Sequence, residues 1–387
     1  MRETHVIAGA GMAGAKAAEA LRDEGFEGRI VLVGEEPELP YERPPLSKDY
    51  LRGEVPREQA RVHPEGFYAD HDIDLMCGTT VTAIDPEARS VTLSTGEALA
   101  YDRLLLATGS EPRRLSVPGA ELGGVHHLRD LADADRIAAA LQPGARAVIA
   151  GGGWIGMEVA ASARQKGLEV TIVERAAVPL DRALGREAGE FYAQLHRDHG
   201  VTLHSGVVVA GVEGKGRVER VVLGDGRALD ADVLVCGLGA LPRTALAERA
   251  GLAVENGILC DERLETSVPG IFAAGDVANA EHPFYGRRIR VEHWANALHQ
   301  PEVAAKAMLG KPASYDRLPY FFSDQYDVGM EYTGLAAGAD EMVVRGDVAE
   351  REFVAYWMRE GRVIAGMNVN VWDVADEIAG QILNRAT

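Results

Sequence analysis

Apolar and polar positions alternate in blocks along this chain, and the blocks recur in a fixed order. A short apolar run at Val6–Ala8 leads into Gly9-Ala10-Gly11-Met12-Ala13-Gly14 and then the alanine-rich stretch Ala15–Leu21. A second apolar run, Arg29–Val33, ends at Gly34-Glu35. Short apolar runs bounded by glycine predict buried parallel strands, and the alanine-rich stretch predicts a helix between them. The same order returns as a strand at Arg146–Ala150, a glycine turn at 151–156, a helix at Met157–Lys166 and a strand at Glu169–Val173. Gly167 suits the C′ position of that helix, and the strand ends in Glu174. Each unit is followed by β-rich sequence, with turns at Thr95-Gly96 and Asp225-Gly226, and then by a closing apolar strand, Tyr101–Gly109 or Asp232–Cys236. An amphipathic helix is predicted at Leu131–Leu141 and an apolar strand end at Ile271–Asp276. Beyond them, Tyr320–Tyr332, Glu352–Arg359 and Arg362–Asn368 predict strands, Glu360-Gly361 a hairpin, and Val374–Arg385 a closing amphipathic helix.

The glycine turns carry the first chemistry. Gly9, Gly11 and Gly14 fit G-x-G-x-x-G, and Gly151, Gly153 and Gly156 repeat it in the second block. The first glycine permits a tight turn, the second lets backbone approach a pyrophosphate, and the third lets helix and strand pack closely. The phosphates would sit at a helix N-terminus, where free amides and the helix dipole favour negative charge. Glu35 follows Gly14, and Glu174 follows Gly156, at close to the spacing of an acid that binds ribose hydroxyls. An ordinary glycine turn with a surface glutamate is the alternative, but strand, helix and acid together, twice, weigh against it. A carboxylate at Glu174 repels a 2′-phosphate and so favours NADH over NADPH, a preference that the adjacent Arg175 would soften.

Composition narrows the partners. The chain has 387 residues and a net charge of −19, which argues against nucleic acid as a general partner. No apolar run reaches the roughly 18–20 residues that span a bilayer, so no membrane association is expected. The first strand begins by Thr4, leaving no room for a signal peptide, and the expected compartment is the cytoplasm. Cys77, Cys236 and Cys260 are far apart, lack metal-ligand spacing and read as buried structural thiols. No metal site is expected. Prolines at 37–48 stiffen a loop that presents Arg43 and Lys48. Arg287, Arg288 and Arg290 form a local basic cluster, either a solvated face or a docking patch.

Two dinucleotide units in one chain suggest a flavin nucleotide in one and a nicotinamide nucleotide in the other. On these residues the chain resembles the pyridine-nucleotide-dependent flavoprotein reductases. Within them it is similar to the oxygenase-coupled ferredoxin reductases, the group that serves putidaredoxin, rubredoxin and aromatic-ring dioxygenases. The resemblance covers essentially the whole chain. Its most specific pieces are 40–48 (Pro-Tyr-Glu-Arg-Pro-Pro-Leu-Ser-Lys), Gly151–Glu158, Gly270–Asp276 and Phe322-Ser323-Asp324-Gln325-Tyr326. It implies an α/β fold with two Rossmann-like dinucleotide-binding domains, for FAD and NAD, plus a C-terminal α+β domain, in a glutathione-reductase-like architecture. The expected boundaries are 1–112 with 245–315 for the FAD domain, 113–244 for the NAD domain and 316–387 for the C-terminal domain.

The resemblance also implies site residues. FAD would be held by Gly9, Gly11, Met12, Ala13, Gly14, Glu35, Arg43, Lys48, Val81, Ala107, Thr108, Gly109, Arg129, Gly275, Asp276, Glu292, His293 and Trp294. NADH would be held by Gly151, Gly153, Trp154, Ile155, Gly156, Glu158, Glu174, Arg182 and Gly239. Lys48 and Glu158 would pair beside the flavin. Trp154 would either stack over the flavin until nicotinamide displaces it or serve plain packing. Where relatives often carry Trp, this chain has Phe322. No cysteine lies in 43–48 or 144–158, so electrons would leave from the flavin and not through a thiol. The implied reaction is hydride transfer from NADH to FAD, then single-electron transfer to a [2Fe–2S] ferredoxin or a rubredoxin that feeds an oxygenase or P450, with a homodimer as an allowed assembly. Two alternatives stand beside it. One is an NADH oxidase or diaphorase with a small-molecule acceptor. The other is an NADH-sensing flavoprotein resembling apoptosis-inducing factor.

Overall fold

The computed structural model describes residues 2–384. They form two compact units, each drawn from three segments. The first takes the chain up to Glu42, Ala60–Glu111 and Leu241–Tyr320; the second takes Arg43–Gln59, Pro112–Ala240 and Phe321 onward.

In the first unit five parallel strands lie in the order Ile271–Ala273, Arg103–Leu106, Thr4–Ala8, Arg29–Val33, Ile73–Met76. Val6, Ile7, Ile30–Leu32 and Leu104–Leu106 are fully buried, which explains why these strands read as unbroken apolar runs. The helix Met12–Asp23 buries its alanines against this sheet and lies beside the helix Trp294–Met308. That second helix is not predicted by the pattern, because Pro301 inside it removes a backbone donor. Burial of Ala295, Ala304, Ala305 and Met308 outweighs that cost. A small antiparallel sheet, Val81–Asp85, Ser90–Leu93 and Ala98–Ala100, forms the β-rich insert.

The second unit repeats this plan. Its parallel strands run in the order Thr202–Ser205, Glu169–Glu174, Arg146–Ala150, Val233–Cys236, Val125–His127. Thr4–Ala8 and Arg146–Ala150 hold the same central place in their sheets. Each lies between the strand that follows its glycine turn and helix and the closing strand. The helix Trp154–Gln165 begins one turn earlier than expected, directly after Gly153. The insert is the antiparallel sheet Val209–Glu213, Arg220–Leu223, Ala228–Asp230.

The same unit contains a five-stranded antiparallel sheet in the order Tyr320–Gln325, Val328–Gly334, Arg362–Val369, Glu352–Arg359, Glu341–Asp347. The stretch read as a strand over Tyr320–Tyr332 is two strands with Tyr326 in the turn, at φ 59°. The edge strand Glu341–Asp347 is missed by the pattern because its residues are half-buried or exposed and no alternation survives. The closing helix runs Ala375–Leu383; Arg385, the expected end, lies outside the described residues. One core joins Ile149, Met157 and Tyr192 to Met330, Trp357 and Met367. Trp357 donates its indole N–H to the Leu184 carbonyl at 2.9 Å, so this buried polar group is satisfied. Among the described residues no helix is long and apolar enough to cross a membrane.

Candidate functional site

The two glycine turns have closely matching geometry. Gly9 and Gly151 adopt φ 117° and 105°, which a side chain would resist. Each donates its N–H to the neighbouring strand, to Val33 and Val173 at 2.8 Å. A methyl group on Gly9 would fall 2.2 Å from the Ala107 oxygen, and one on Gly151 2.3 Å from the Gly237 oxygen. A methyl on Gly14 would fall 1.9 Å from the Gly9 oxygen, and one on Gly156 2.1 Å from the Gly151 oxygen. The middle glycines differ: a methyl on Gly11 would meet nothing within 4 Å, and one on Gly153 only the Gly237 oxygen at 4.0 Å. First and third glycines are therefore required by packing, while the middle one faces open space. Neither following helix has a side-chain cap on its first-turn amides. Open space in front of uncapped helix amides fits a dinucleotide pyrophosphate in both turns.

Around the first turn, Met12 and Ala13 are buried in the opening helical turn. Val81 begins the insert sheet. Thr108 donates its hydroxyl to the Arg243 carbonyl at 2.9 Å, and the Arg243 N–H returns to the Gly109 carbonyl at 2.9 Å. The Arg243 guanidinium meets Glu35 at 2.7 Å, both groups about half-exposed. Ser110 donates to Asp276 at 2.7 Å, and the Gly275 N–H donates to Gln300 at 2.8 Å. Glu292 pairs with Arg290 at 2.8 Å, and Trp294 donates its indole N–H to Glu42 at 2.9 Å. His293 precedes the helix, and desolvation pushes its imidazole down to about 4. The structure thus gathers Gly9–Gly14, Glu35, Val81, Ala107–Gly109, Gly275, Asp276 and Glu292–Trp294 in one unit. Arg43, Lys48 and Arg129 lie in the other, where Arg43 donates to the Arg129 carbonyl.

Around the second turn, Glu174 is fixed by two backbone donors, Gly152 at 2.6 Å and Ala176 at 2.7 Å. A carboxylate so oriented at the strand end is placed to accept ribose hydroxyls. Arg182 is exposed on the short helix Asp181–Leu184. Gly239, at φ 90°, accepts the Arg113 N–H at 2.9 Å. Trp154 packs edge-on against Tyr192 and Phe321, with ring centroids 5.5 and 5.0 Å away; Ile155 is exposed.

Two residues beyond Gly156 on this helix is a buried ion pair. Lys48 Nζ lies 2.8 Å from Glu158 Oε2, with side chains 9 and 4% exposed. Ser47 donates to the same carboxylate oxygen, and Ser323 donates to Oε1 at 2.7 Å. Lys48 also donates to the Pro44 carbonyl at 3.3 Å and sits 5.6 Å from the centre of the Phe322 ring. The proline-rich stretch forms a 3-10 turn at Pro44–Ser47, which delivers Ser47 and Lys48 together. Removing water from a charge pair is costly unless both partners are further bonded, and here they are.

Two expectations change. All three cysteines are free, but Cys77 is only half-buried and donates to the Glu38 carbonyl at 3.3 Å. Burial pushes the Cys236 and Cys260 thiols up to about 12 and raises Cys77, the opposite of what thiolate chemistry requires. Arg290 does not belong to a free basic patch: its side chain is 10% exposed and holds the Asp276 carbonyl, Glu292 and Asn256. Arg288 is paired with Glu281 at 2.8 Å. Sequence spacing showed a cluster of charges but not which were already neutralised.

Comparison with known proteins gives the family and the fold. The family model Pyridine nucleotide-disulphide oxidoreductase matches residues 3–301, and the model Reductase C-terminal matches 320–381. Putidaredoxin reductase CamA of Pseudomonas putida is 41% identical over 371 residues, covering 94% of this chain and 88% of that relative. The ferredoxin–NAD(+) reductase component of the anthranilate 1,2-dioxygenase system of Burkholderia cepacia is 41% identical, over 95% of this chain and 90% of that protein. Among solved structures, the covalent putidaredoxin reductase–putidaredoxin complex superposes with a TM-score of 0.96 at 39% identity, covering 99% of this chain and 93% of that one.

Proposed function

The chain belongs to the pyridine nucleotide-disulphide oxidoreductase family, and on that premise we propose that it is an NADH-dependent, FAD-containing reductase. It passes electrons to a small iron–sulfur protein, a [2Fe–2S] ferredoxin or a rubredoxin, that feeds an oxygenase or P450. The observation that carries this reading is the pair of glycine turns, each packed at its first and third glycine and open at its middle one. They supply one cradle for FAD and one for NADH. Although the family is named for disulphide chemistry, all three thiols here are free and their pKa values are raised. The electron exit is therefore not a thiol of this protein.

Bound FAD supplies the redox chemistry, accepting two electrons from a nicotinamide and releasing them one at a time. The polypeptide does the rest. The amides after Gly11 and Gly153 bind pyrophosphate, and Glu35 and Glu174 accept ribose hydroxyls. Glu174, held by two backbone donors, selects NADH by opposing a 2′-phosphate. Glu158 orients Lys48, which by the resemblance would offer positive charge to a flavin as it is reduced. Electrons balance as one NADH and two oxidised acceptors giving NAD⁺, two reduced acceptors and one proton. A cytoplasmic setting is part of the proposal, supported by three thiols left unpaired in the chain.

The test is cytochrome c reduction by NADH with and without a panel of [2Fe–2S] ferredoxins and rubredoxins. Strong stimulation by one of them is expected. Rapid peroxide formation that no iron–sulfur protein alters would make the chain an NADH oxidase instead.

A further inference from the structure

A buried line of polar side chains leads away from the Lys48–Glu158 pair. Ser323 donates to Glu158 Oε1 at 2.7 Å, and Gln325 Nε2 donates to Ser323 Oγ at 3.1 Å. Gln325 Oε1 lies 2.9 Å from His196 Nε2, and His196 Nδ1 lies 3.1 Å from the Tyr326 hydroxyl. Ser323, Gln325 and His196 are at most 2% exposed, so water cannot substitute for any of these partners. At the outer end the Tyr326 ring stacks on His199 at 3.8 Å. His199 stands 3.5 Å from Asp327, which Arg351 grips at 2.7 Å.

The polarity of this line has one solution. A carboxylate only accepts, so the Ser323 hydroxyl hydrogen points to Glu158. Its lone pair then takes a Gln325 amide hydrogen. That leaves the Gln325 oxygen to accept, which requires His196 to carry its proton on Nε2. His196 Nδ1 must then accept from Tyr326. Desolvation holds the His196 imidazole down to about 4, so it stays neutral and keeps one tautomer. Every donor therefore faces Glu158. Tyr326 takes a left-handed backbone conformation, φ 59°, in the turn that delivers its hydroxyl, and such conformations persist where the surroundings fix them. An amide in the middle passes a proton only through its imidic form, so the line orients and does not conduct.

We propose that Ser323, Gln325, His196 and Tyr326 are positioning residues for the reaction. They form a one-way hydrogen-bonded line that holds Glu158, and through it Lys48, in a single orientation. This rests on the reading of Lys48 and Glu158 as part of the reduction site. It gives the C-terminal sheet, which supplies Ser323, Gln325 and the Tyr326 turn, a direct hold on the helix that follows the second glycine turn. Neither the cradle motif nor the ion pair requires one.

The experiment compares wild type with Ser323→Ala and Tyr326→Phe as holoenzymes. Histidine ¹⁵N spectra, which read the imidazole without any reaction, should show His196 as the Nε2–H form in wild type and Tyr326→Phe alike, with the Nδ1 signal shifted in Tyr326→Phe, where that nitrogen loses its donor. Flavin reduction by NADH in a stopped-flow instrument should slow about tenfold in Ser323→Ala, the loss of one hydrogen bond to a charged group, with NADH affinity unchanged. The same rate should fall about threefold in Tyr326→Phe, whose hydroxyl lies at the far end of the line from Lys48 and Glu158. The FAD midpoint potential should shift in the same order. If wild type takes up no FAD, the functional reading falls, while the tautomer measurement still decides the line. If wild type shows His196 as the Nδ1–H form, or is reduced normally while Tyr326→Phe matches it in Nδ1 shift, rate and potential, the proposal is overturned. A solvent isotope effect that disappears in Tyr326→Phe would also overturn it, by making the line a proton path. Should Ser323→Ala fail to fold, Tyr326→Phe, altered at the half-buried outer end, carries the test alone.

Discussion

The two glycine turns share a backbone and differ in what their side chains do. Strand, turn and helix correspond residue for residue, down to the hydrogen bonds of Gly9 and Gly151. At one shared position the first helix carries Lys16 and the second carries Glu158. Lys16 pairs with Glu19 on its own helix, both about a quarter exposed, whereas Glu158 pairs with Lys48 in a buried network. The acids after the second strand of each unit differ as well. Glu35 is about half-exposed and meets Arg243, while Glu174 is held by backbone. The frame determines that a dinucleotide can bind; the substituents determine which one, and whether chemistry follows.

The sharpest way to break this comparison is to remove the lysine of each pair. Lys48→Met should cost about 3–5 kcal/mol, because it leaves a buried carboxylate uncompensated. Lys16→Met should cost about 1 kcal/mol or less. Urea unfolding midpoints check both, and equal losses would mean that Glu158 is less confined than its contacts indicate. Next come the third glycines. Gly14→Ala and Gly156→Ala each force a methyl to about 2 Å from a carbonyl oxygen, costing about 1–3 kcal/mol. Gly14→Ala should purify without flavin colour. Gly156→Ala should keep the colour but lose reduction by NADH, as absorbance spectra would show.

A smaller effect is expected at the acids. Glu174→Ala should narrow the NADH preference over NADPH about tenfold in kcat/KM. Glu35→Ala should leave that ratio unchanged. The smallest concerns the aspartates before the closing strands. Asp102 accepts the Thr4 N–H at 2.7 Å, and Asp232 accepts the Arg146 N–H at 2.9 Å. Only Asp232 also receives the Arg146 guanidinium, at 3.0 and 2.9 Å, which holds its carboxyl down to about 2. A lowered carboxyl pKa adds stability above its unfolded value of about 4 and loses it as pH falls towards 2. Asp232 is nearly half-exposed, so after screening Asp232→Asn should cost about 1 kcal/mol or less at pH 7. That gap from wild type should close between pH 4 and pH 2 in thermal melts.

Much of this was legible in the chain. Both glycine turns and the closing strands follow from backbone demands that few residues meet. The Lys48–Glu158 pair followed only from resemblance, because its partners come from distant segments and no local pattern links them. No local pattern marks His196, which is completely buried on the helix Arg186–Asp198. The Arg287–Arg290 cluster looked uniform in sequence, yet Arg290 is consumed internally and Arg288 is paired.

What the sequence determined by itself was the pair of nucleotide frames and the want of a thiol pair. Glycine placement and residue type act over a few neighbours, and those interactions can be read along a line. What only the tertiary structure decided was which charges cancel, which acid is held by backbone, and which hydroxyls aim at Glu158. Those outcomes depend on desolvation and on hydrogen-bond direction. Both are properties of surroundings assembled from distant segments.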